Sequence, residues 1–172
     1  GALSIDLEGH GREEQAVPGV DLSRTVGWFT TLYPVRLDVA GVDLEDAFGG
    51  GGAAGDALKS VKEQMRRVPD NGIGYGVLRH LDPVAGPALA AGQAPEIGFN
   101  YLGRFTLGEG AGGAWTSAPG SGTLGGAADG DMPVSHAIEI GAVTEDSIDG
   151  PILRATWGYS PDVVDAATVR SL

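Results

Sequence analysis

The sequence predicts an α+β fold, in which strands and helices follow one another along a chain of 172 residues. Apolar and polar residues alternate at the start, with Leu3, Ile5 and Leu7 on one face, which predicts a strand. Apolar residues at helical spacing predict a helix in the middle of the chain, and two strand-like segments around a glycine turn predict an antiparallel pair near its end. The hydrophobic content of 42% is typical of a globular domain.

The first strand ends at Glu8, and polar residues follow it closely. His10 and Arg12 come next at alternate positions, separated by glycines that let the backbone turn sharply. A carboxylate, an imidazole and a guanidinium lie within five residues, a combination typical of acid/base chemistry. We therefore interpret this segment as a candidate catalytic site.

Residues 24–37 are rich in aromatic and β-branched residues and predict a long strand, with Pro34 marking an edge or a bend. Trp28, Phe29 and Tyr33 are interpreted as core aromatics. Because alternation places Trp28 and Phe29 on opposite faces, both sides of this strand would need cover, as in a central strand.

Two helices are predicted in the middle of the chain. Residues 48–55 form a glycine-rich linker without the residue order of a phosphate-binding loop. Asp56 then caps a helix that ends before Pro69 and has apolar residues at helical spacing: Leu58, Val61, Met65 and Val68. A shorter helix follows, with Ile73, Val77, Leu78 and Leu81 facing inward.

The last third of the chain predicts three strands and a helix. Residues 96–103 form a strand that carries Asn100 and Tyr101, and residues 107–131 are a Gly/Ala-rich segment that we expect to be a flexible loop. Residues 134–144 and 152–159 predict an antiparallel pair.

The closing pair also allows its side-chain contacts to be predicted. Ile138, Ile140 and Ala142 would share a face with Leu153, Ala155, Trp157 and Tyr159, whereas Glu139 would meet Arg154 on the other face. A final helix would begin at Ser160, with a proline near its first position.

Composition excludes several classes of function. A formal net charge of −12 and a pI near 4.4 oppose binding to nucleic acid or to an anionic membrane. The chain has no cysteine, and its three histidines lack the spacing of a zinc site. No apolar run approaches the roughly 18 residues that a membrane span needs, so we expect a cytoplasmic protein.

Four stretches, in this order, resemble the epimerization domains of nonribosomal peptide synthetases. They are residues 8–13 (EGHGRE), 24–35 (RTVGWFTTLYPV), 69–76 (PDNGIGYG) and 99–104 (FNYLGR). The WGYSP sequence after the closing strands also looks like that family. The resemblance covers nearly the whole chain and is weakest in residues 108–130.

The resemblance implies a fold and a set of partners. Such domains have two lobes that resemble chloramphenicol acetyltransferase, each a mixed, mostly antiparallel sheet with helices on one face, and the active site lies in a tunnel between them. The first lobe carries a His-His-x-x-x-Asp-Gly motif that is absent here, so residues 1–172 are expected to be the C-terminal lobe alone. Its partners would be the N-terminal lobe, a peptidyl carrier domain and neighbouring synthetase modules. The tunnel face, including Trp28 and Tyr33, would otherwise be exposed, which favours pairing of two copies.

The resemblance also implies the reaction. The family inverts the Cα of an aminoacyl or peptidyl thioester held on the phosphopantetheine of a carrier domain. The thioester carbonyl is the electron sink, so no cofactor or metal is expected in this lobe. Glu8 matches the catalytic glutamate, and the opposing group would be the second histidine of the missing motif.

Further roles follow from the same resemblance. Asn100 and Tyr101 match positions that face the tunnel, where they would hydrogen-bond the substrate carbonyl or the enolate. His10 and Arg12 would orient Glu8 or pack locally. Trp28 and Phe29 would line or support the tunnel, in addition to their place among the aromatics described above.

Two other functions compete with epimerization. A condensation domain shares this fold but joins two carrier-bound substrates by amide formation, although residues 8–13 and 99–101 are of the epimerization type. A non-catalytic module that docks carrier domains would use basic residues, for which Arg66, Arg67 and Arg79 are the candidates.

Overall fold

The structure, a computed structural model, describes residues 1–105 and 133–172. The loop predicted for residues 107–131 lies outside the described residues. Strands β1 to β5 span Ala2–Gly9, Thr31–Asp38, Ile97–Phe105, Ile138–Ser147 and Gly150–Tyr159. Helices α1 to α5 span Leu44–Phe48, Gly52–Met65, Ile73–His80, Ala85–Ala90 and Ala166–Ser171, and single 3-10 turns cover Glu14–Ala16 and Pro69–Gly72.

The described strands follow the order β2-β1-β3-β4-β5, and the chain divides into two units, Gly1–Asn100 and Tyr101–Leu172. In the first unit β1 pairs with β2 antiparallel and with β3 parallel. Parallel neighbours need a long crossover connection, and helices α1 to α4 provide it. The arrangement is the mixed α+β fold that the sequence predicts.

The core of the first unit lies on one face of β2. Tyr33 and Val35 are buried, whereas the residues between and beside them are exposed. Helix α2 is attached to the end of this strand because Gln64 accepts a hydrogen bond from the backbone N–H of Asp38 and donates one to its carbonyl, both at 2.7 Å.

The prediction of a strand from residue 24 is wrong for its first seven residues. β2 begins at Thr31, opposite Gly9, and β1 offers no pairing partner before that point. Without a partner Trp28 is 89% exposed, so it is not a core aromatic. β2 is an edge strand rather than a central one, which suits Pro34 because proline has no N–H to donate to a second neighbour. Tyr33, at 5% exposure, is not on an open face.

The helices differ from their predicted limits and faces. Helix α2 begins at Gly52 rather than at Asp56, because the carboxylate of Asp46 accepts a hydrogen bond from Ala53 N–H at 2.9 Å and caps it from outside. Leu58 is exposed, as are Val77, Leu78 and Leu81 of the α3 region. Within the described residues, the helices are too short or too polar to cross a membrane.

The second unit confirms the predicted strand pair. Ile138 lies opposite Tyr159, Ile140 opposite Trp157 and Ala142 opposite Ala155, and Ile138 and Ala142 are buried.

The strand limits and two further details of that unit differ from prediction. β4 spans Ile138–Ser147 rather than residues 134–144, and β5 begins at Gly150 rather than at residue 152. Arg154 lies opposite Val143, so its guanidinium reaches Glu145, at 3.0 Å, rather than Glu139. The final helix begins at Ala166, where Asp165 accepts hydrogen bonds from two backbone N–H groups, and not at Ser160.

Candidate active site

Glu8 lies at the end of β1, directly beside Asn100 of β3. The parallel register pairs these two residues, so their side chains leave neighbouring strands on the same face. Asn100 Nδ2 donates a hydrogen bond of 2.7 Å to Glu8 Oε2, and both residues are half-buried. Within the first unit, Glu8 Oε1 makes no hydrogen bond. One carboxylate oxygen of Glu8 is therefore held by the side-chain amide of Asn100.

His10 extends this contact away from the carboxylate. Its Nε2 lies 2.7 Å from Asn100 Oδ1, and its Nδ1 lies 3.2 Å from Thr30 Oγ1. His10 directly follows Gly9, the last residue of β1. One continuous series of contacts thus runs from Thr30 through His10 and Asn100 to Glu8, and we term it the Thr30–Glu8 hydrogen-bond chain.

Sequence reasoning did not identify Thr30 as a site residue. It lies in the stretch 24–35, one residue before β2 begins. The pairing of Thr31 with Gly9 brings this end of β2 beside the residue that follows Gly9, which is His10. The register of β1 and β2 was the signal that could have placed Thr30 beside the imidazole.

Arg12 contacts a different part of the molecule. Its guanidinium lies over the ring of Phe29, 4.7 Å from the centroid, and its Nη2 donates a hydrogen bond of 2.7 Å to the carbonyl of Thr25. A cation over an aromatic face is attracted by the ring quadrupole. Arg12 and Phe29 also line a cavity of about 210 Å³. Arg12 therefore holds the loop after β1 against the segment that precedes β2.

The two remaining candidates have surroundings of their own. Trp28 points into solvent. Tyr101, in the second unit, places its hydroxyl 2.9 Å from Thr144 Oγ1. The structure thus brings Glu8, Asn100 and His10 together, pairs Arg12 with Phe29, and gives Tyr101 a partner on β4.

The loop after β1 is also held by residues 69–76, the third of the family-like stretches. Glu13 Oε2 accepts a hydrogen bond of 2.7 Å from Asn71 Nδ2. Glu13, Asp70 and Asn71 all have left-handed backbone conformations, with φ of 37°, 45° and 50°. Such conformations are strained for non-glycine residues and persist only where surrounding contacts hold them.

The ring of Tyr33 lies next to Gly72, the residue that follows Asn71. Burial raises the pKa of its phenol above the ordinary value, and the charge of Glu13 adds to that effect. A cluster of three acidic or histidine side chains able to hold a metal ion is absent from the part of the chain that the structure describes.

Comparisons with known proteins show the family to which this chain belongs. A family model described as Condensation domain matches residues 2–106. One of the linear gramicidin synthase subunits of Brevibacillus parabrevis is 41% identical over 172 residues, which cover 99% of this chain and 2% of that protein. Surfactin synthase subunit 2 of Bacillus subtilis (strain 168) is 48% identical over 103 residues, covering 60% of this chain and 2% of that protein.

A solved structure is also similar over nearly the whole chain. It is the epimerization domain from the third module of tyrocidine synthetase B, with 37% identity and a TM-score of 0.71. The match covers 99% of this chain and 34% of that one. The chain thus spans only a small part of its curated relatives and about a third of the similar domain.

Proposed function

The chain belongs to the condensation-domain family, and from this premise we propose that it is the second lobe of an epimerization domain of a nonribosomal peptide synthetase. The four family-like stretches and the 37% identity to the tyrocidine synthetase epimerization domain support this assignment. The substrate would be an aminoacyl or peptidyl thioester on the phosphopantetheine of a carrier domain, and the reaction would invert its Cα from L to D.

The observation that carries the proposal is the contact between Glu8 and Asn100. A base that removes a proton from carbon must be held at one position, and the 2.7 Å bond from Asn100 fixes one oxygen of Glu8. The other oxygen takes the α-proton. The electron pair left on Cα moves onto the thioester carbonyl oxygen, and an acid on the opposite face returns a proton to Cα. No atom is gained or lost, and the product differs only in configuration.

The rest of the domain would complete this site. We assign the opposing acid to the histidine motif that the first lobe carries in the family this chain resembles. Trp28 and Val26 are 89% and 99% exposed, and burial of such residues against a partner would remove apolar area from water. In this assignment the first lobe covers them, Phe29 and Arg12 support the tunnel wall, and Tyr101 binds the substrate carbonyl or enolate.

The test uses the complete domain, with its first lobe and an aminoacyl-loaded carrier domain, in deuterated water. We expect deuterium to enter the substrate Cα, and Glu8→Gln to slow that entry by about 10²–10⁴-fold, the usual contribution of a positioned acid/base. Glu63→Gln is the matched control, because Glu63 is an exposed glutamate whose 2.7 Å partner is Arg66. Equal rates for the two variants would reject Glu8 as the base.

Amide formation is the second candidate function, and the description of the matching family model favours it. The same complete domain, supplied with two loaded carriers, distinguishes the two reactions. Formation of a dipeptidyl thioester without deuterium at Cα would establish condensation and exclude epimerization. Entry of deuterium at Cα with a single loaded carrier would establish epimerization.

A carrier-docking role without chemistry would depend on Arg66, Arg67 and Arg79. Arg66 is already engaged by Glu63, at 2.7 Å. If docking is the function, Arg67→Glu lowers the affinity for a carrier domain and solvent deuterium never enters the substrate. Unchanged affinity in a binding titration removes this role.

A further inference from the structure

The Thr30–Glu8 hydrogen-bond chain assigns a role to a residue that has none in the proposed reaction. We propose that Thr30 is a positioning residue: its hydroxyl holds the ring of His10, whose Nε2–H orients the amide of Asn100 towards Glu8. This inference rests on the proposed function, because it concerns the orientation of the proposed base. Thr30 itself would touch neither substrate nor reacting atoms.

The direction of each hydrogen bond follows from the chemistry of the groups. An ionised carboxylate only accepts, so the group of Asn100 that lies 2.7 Å from Glu8 must be its NH₂. The carbonyl oxygen of the same amide then faces His10 and can also only accept. His10 must therefore carry a hydrogen on Nε2. The orientation of a side-chain amide and the tautomer of a histidine, which are often ambiguous, are both determined here by the carboxylate.

The hydroxyl of Thr30 suits this arrangement because it can donate or accept. In the neutral Nε2–H tautomer, Nδ1 has a lone pair and accepts a hydrogen bond from the Thr30 hydroxyl. In the imidazolium form Nδ1 carries a hydrogen, and the same hydroxyl accepts it. Thr30 thus holds the ring in both protonation states, while Nε2–H continues to point at Asn100. A carboxylate in place of Thr30 would favour only the charged ring.

The position of the four residues makes the constraint effective. His10 is exposed, and its ring is held at its two nitrogens by Thr30 and by Asn100. Without a partner at Nδ1 the ring could rotate, and the amide of Asn100 could turn its oxygen towards Glu8. Two acceptors would then face each other and the base would lose its fixed position. Glu8 acts in the proton-transfer step of the proposed reaction, after the substrate has bound, so the effect belongs in kcat rather than in KM.

The experiment compares Thr30→Val with Thr30→Ser in the complete domain with a loaded carrier. Valine keeps the shape of threonine but has no hydroxyl, whereas serine keeps the hydroxyl. We expect Thr30→Val to lower the kcat of solvent deuterium exchange about threefold to tenfold, as loss of one hydrogen bond implies, with KM unchanged. Thr30→Ser should restore most of the rate.

A second pair of variants tests the role of Nε2. The amide nitrogen of glutamine can stand near the place of Nε2, whereas that of asparagine stands nearer to Nδ1. His10→Gln should therefore retain more activity than His10→Asn. In nitrogen NMR of the wild-type domain, the His10 ring should carry a proton on Nε2, and Thr30→Val should broaden or shift that signal.

The outcomes separate this inference from the proposed function. Loss of exchange in Glu8→Gln together with wild-type kcat in Thr30→Val would overturn the positioning role of Thr30 alone. A proton on Nδ1 and none on Nε2 would overturn it too. Unimpaired exchange in Glu8→Gln would instead overturn the proposed function. Hydrogen exchange of β1 and β2 amides confirms that each variant is folded, and Glu63→Gln serves again as the unaffected control.

Discussion

Replacement of Gly72 by alanine should destabilise the first unit more than any other glycine substitution of similar backbone conformation. Gly72 has φ of +81°, in the left-handed region that alanine adopts with difficulty. A Cβ placed on Gly72 would also overlap the ring of Tyr33, which is 5% exposed and belongs to the small core of this unit. Two independent costs therefore fall on one methyl group.

The expected cost is about 3 kcal/mol. The left-handed conformation costs a non-glycine residue about 1–2 kcal/mol, and overpacking of a buried side chain adds about 1–3 kcal/mol. The lower chain entropy of alanine in the unfolded state offsets about 0.4–1 kcal/mol. Gly50→Ala is the matched control, because Gly50 has φ of +80° and its Cβ would meet no atom within 4 Å. That substitution should cost only about 1 kcal/mol.

The measurement is the free energy of opening, from hydrogen exchange of β1 and β2 amides over a urea series in the complete domain. Tyr33→Leu provides the internal test, since a smaller side chain relieves the overlap but leaves the backbone conformation unchanged. In that background Gly72→Ala should cost no more than Gly50→Ala does in the wild type. Equal costs for Gly72→Ala and Gly50→Ala in the wild type would refute the overlap argument.

Three further predictions concern polar groups whose partners are defined. Gln64→Ala should lower the unfolding free energy of the first unit by about 1–3 kcal/mol in urea denaturation, because both backbone groups of Asp38 lose their partner. Burial, with the charge of Glu13 in addition, raises the pKa of Tyr33 above 10.0. The contribution of the neutral phenol to stability is therefore present below pH 10.0 and is lost as the pH rises through the raised pKa. Tyr33→Phe should abolish this alkaline loss of stability in thermal melts. Hydrogen bonds from the backbone and side chain of α5 lower the pKa of Asp165 below 3.8. The cap that its carboxylate provides is therefore present above pH 3.8 and is lost as the pH falls through the lowered pKa. The amides of α5 should lose protection from hydrogen exchange in acid, whereas Asp165→Asn should make their exchange independent of this titration.

Strand pairing was the part of the fold that the sequence predicted best. A strand repeats every two residues, so one correct alignment fixes every cross-strand pair. The predicted common face of Ile138, Ile140 and Ala142 with Leu153, Ala155, Trp157 and Tyr159 is therefore confirmed by the register of β4 and β5. The predicted contact of Arg154 with Glu139 is wrong, because the guanidinium of this long side chain reaches diagonally to Glu145.

The first errors arose where local sequence has two structural outcomes. Aromatic and β-branched residues favour an extended backbone, but only a neighbouring strand converts it into a sheet, and residues before Thr31 have none. In the same way Asp56 looked like a helix cap, yet the cap of α2 comes from Asp46, seven residues before the amide that it holds. A contact with no fixed spacing cannot be inferred from local periodicity.

The site illustrates the same limit. Glu8 and Asn100 are 92 positions apart, and the chain between them contains one strand and four helices. The local pattern identifies Glu8 as a polar residue at the end of a strand and Asn100 as one within a strand. It does not show that β3 pairs with β1 in the register that places these two residues side by side. Resemblance supplied the two residues, and the register supplied their contact.

Thr30 was missed because its hydroxyl has meaning only once that register exists. A threonine at the start of an edge strand is ordinary in sequence, and nothing marks it as a partner of His10 twenty residues earlier. In the folded chain the antiparallel pairing brings the start of β2 to one side of the end of β1, and the parallel pairing brings Asn100, within β3, to the other side. An imidazole placed between them can bond to both at once. The register of three neighbouring strands, rather than any local motif, connects the hydroxyl of Thr30 to the carboxylate on which the proposed chemistry depends.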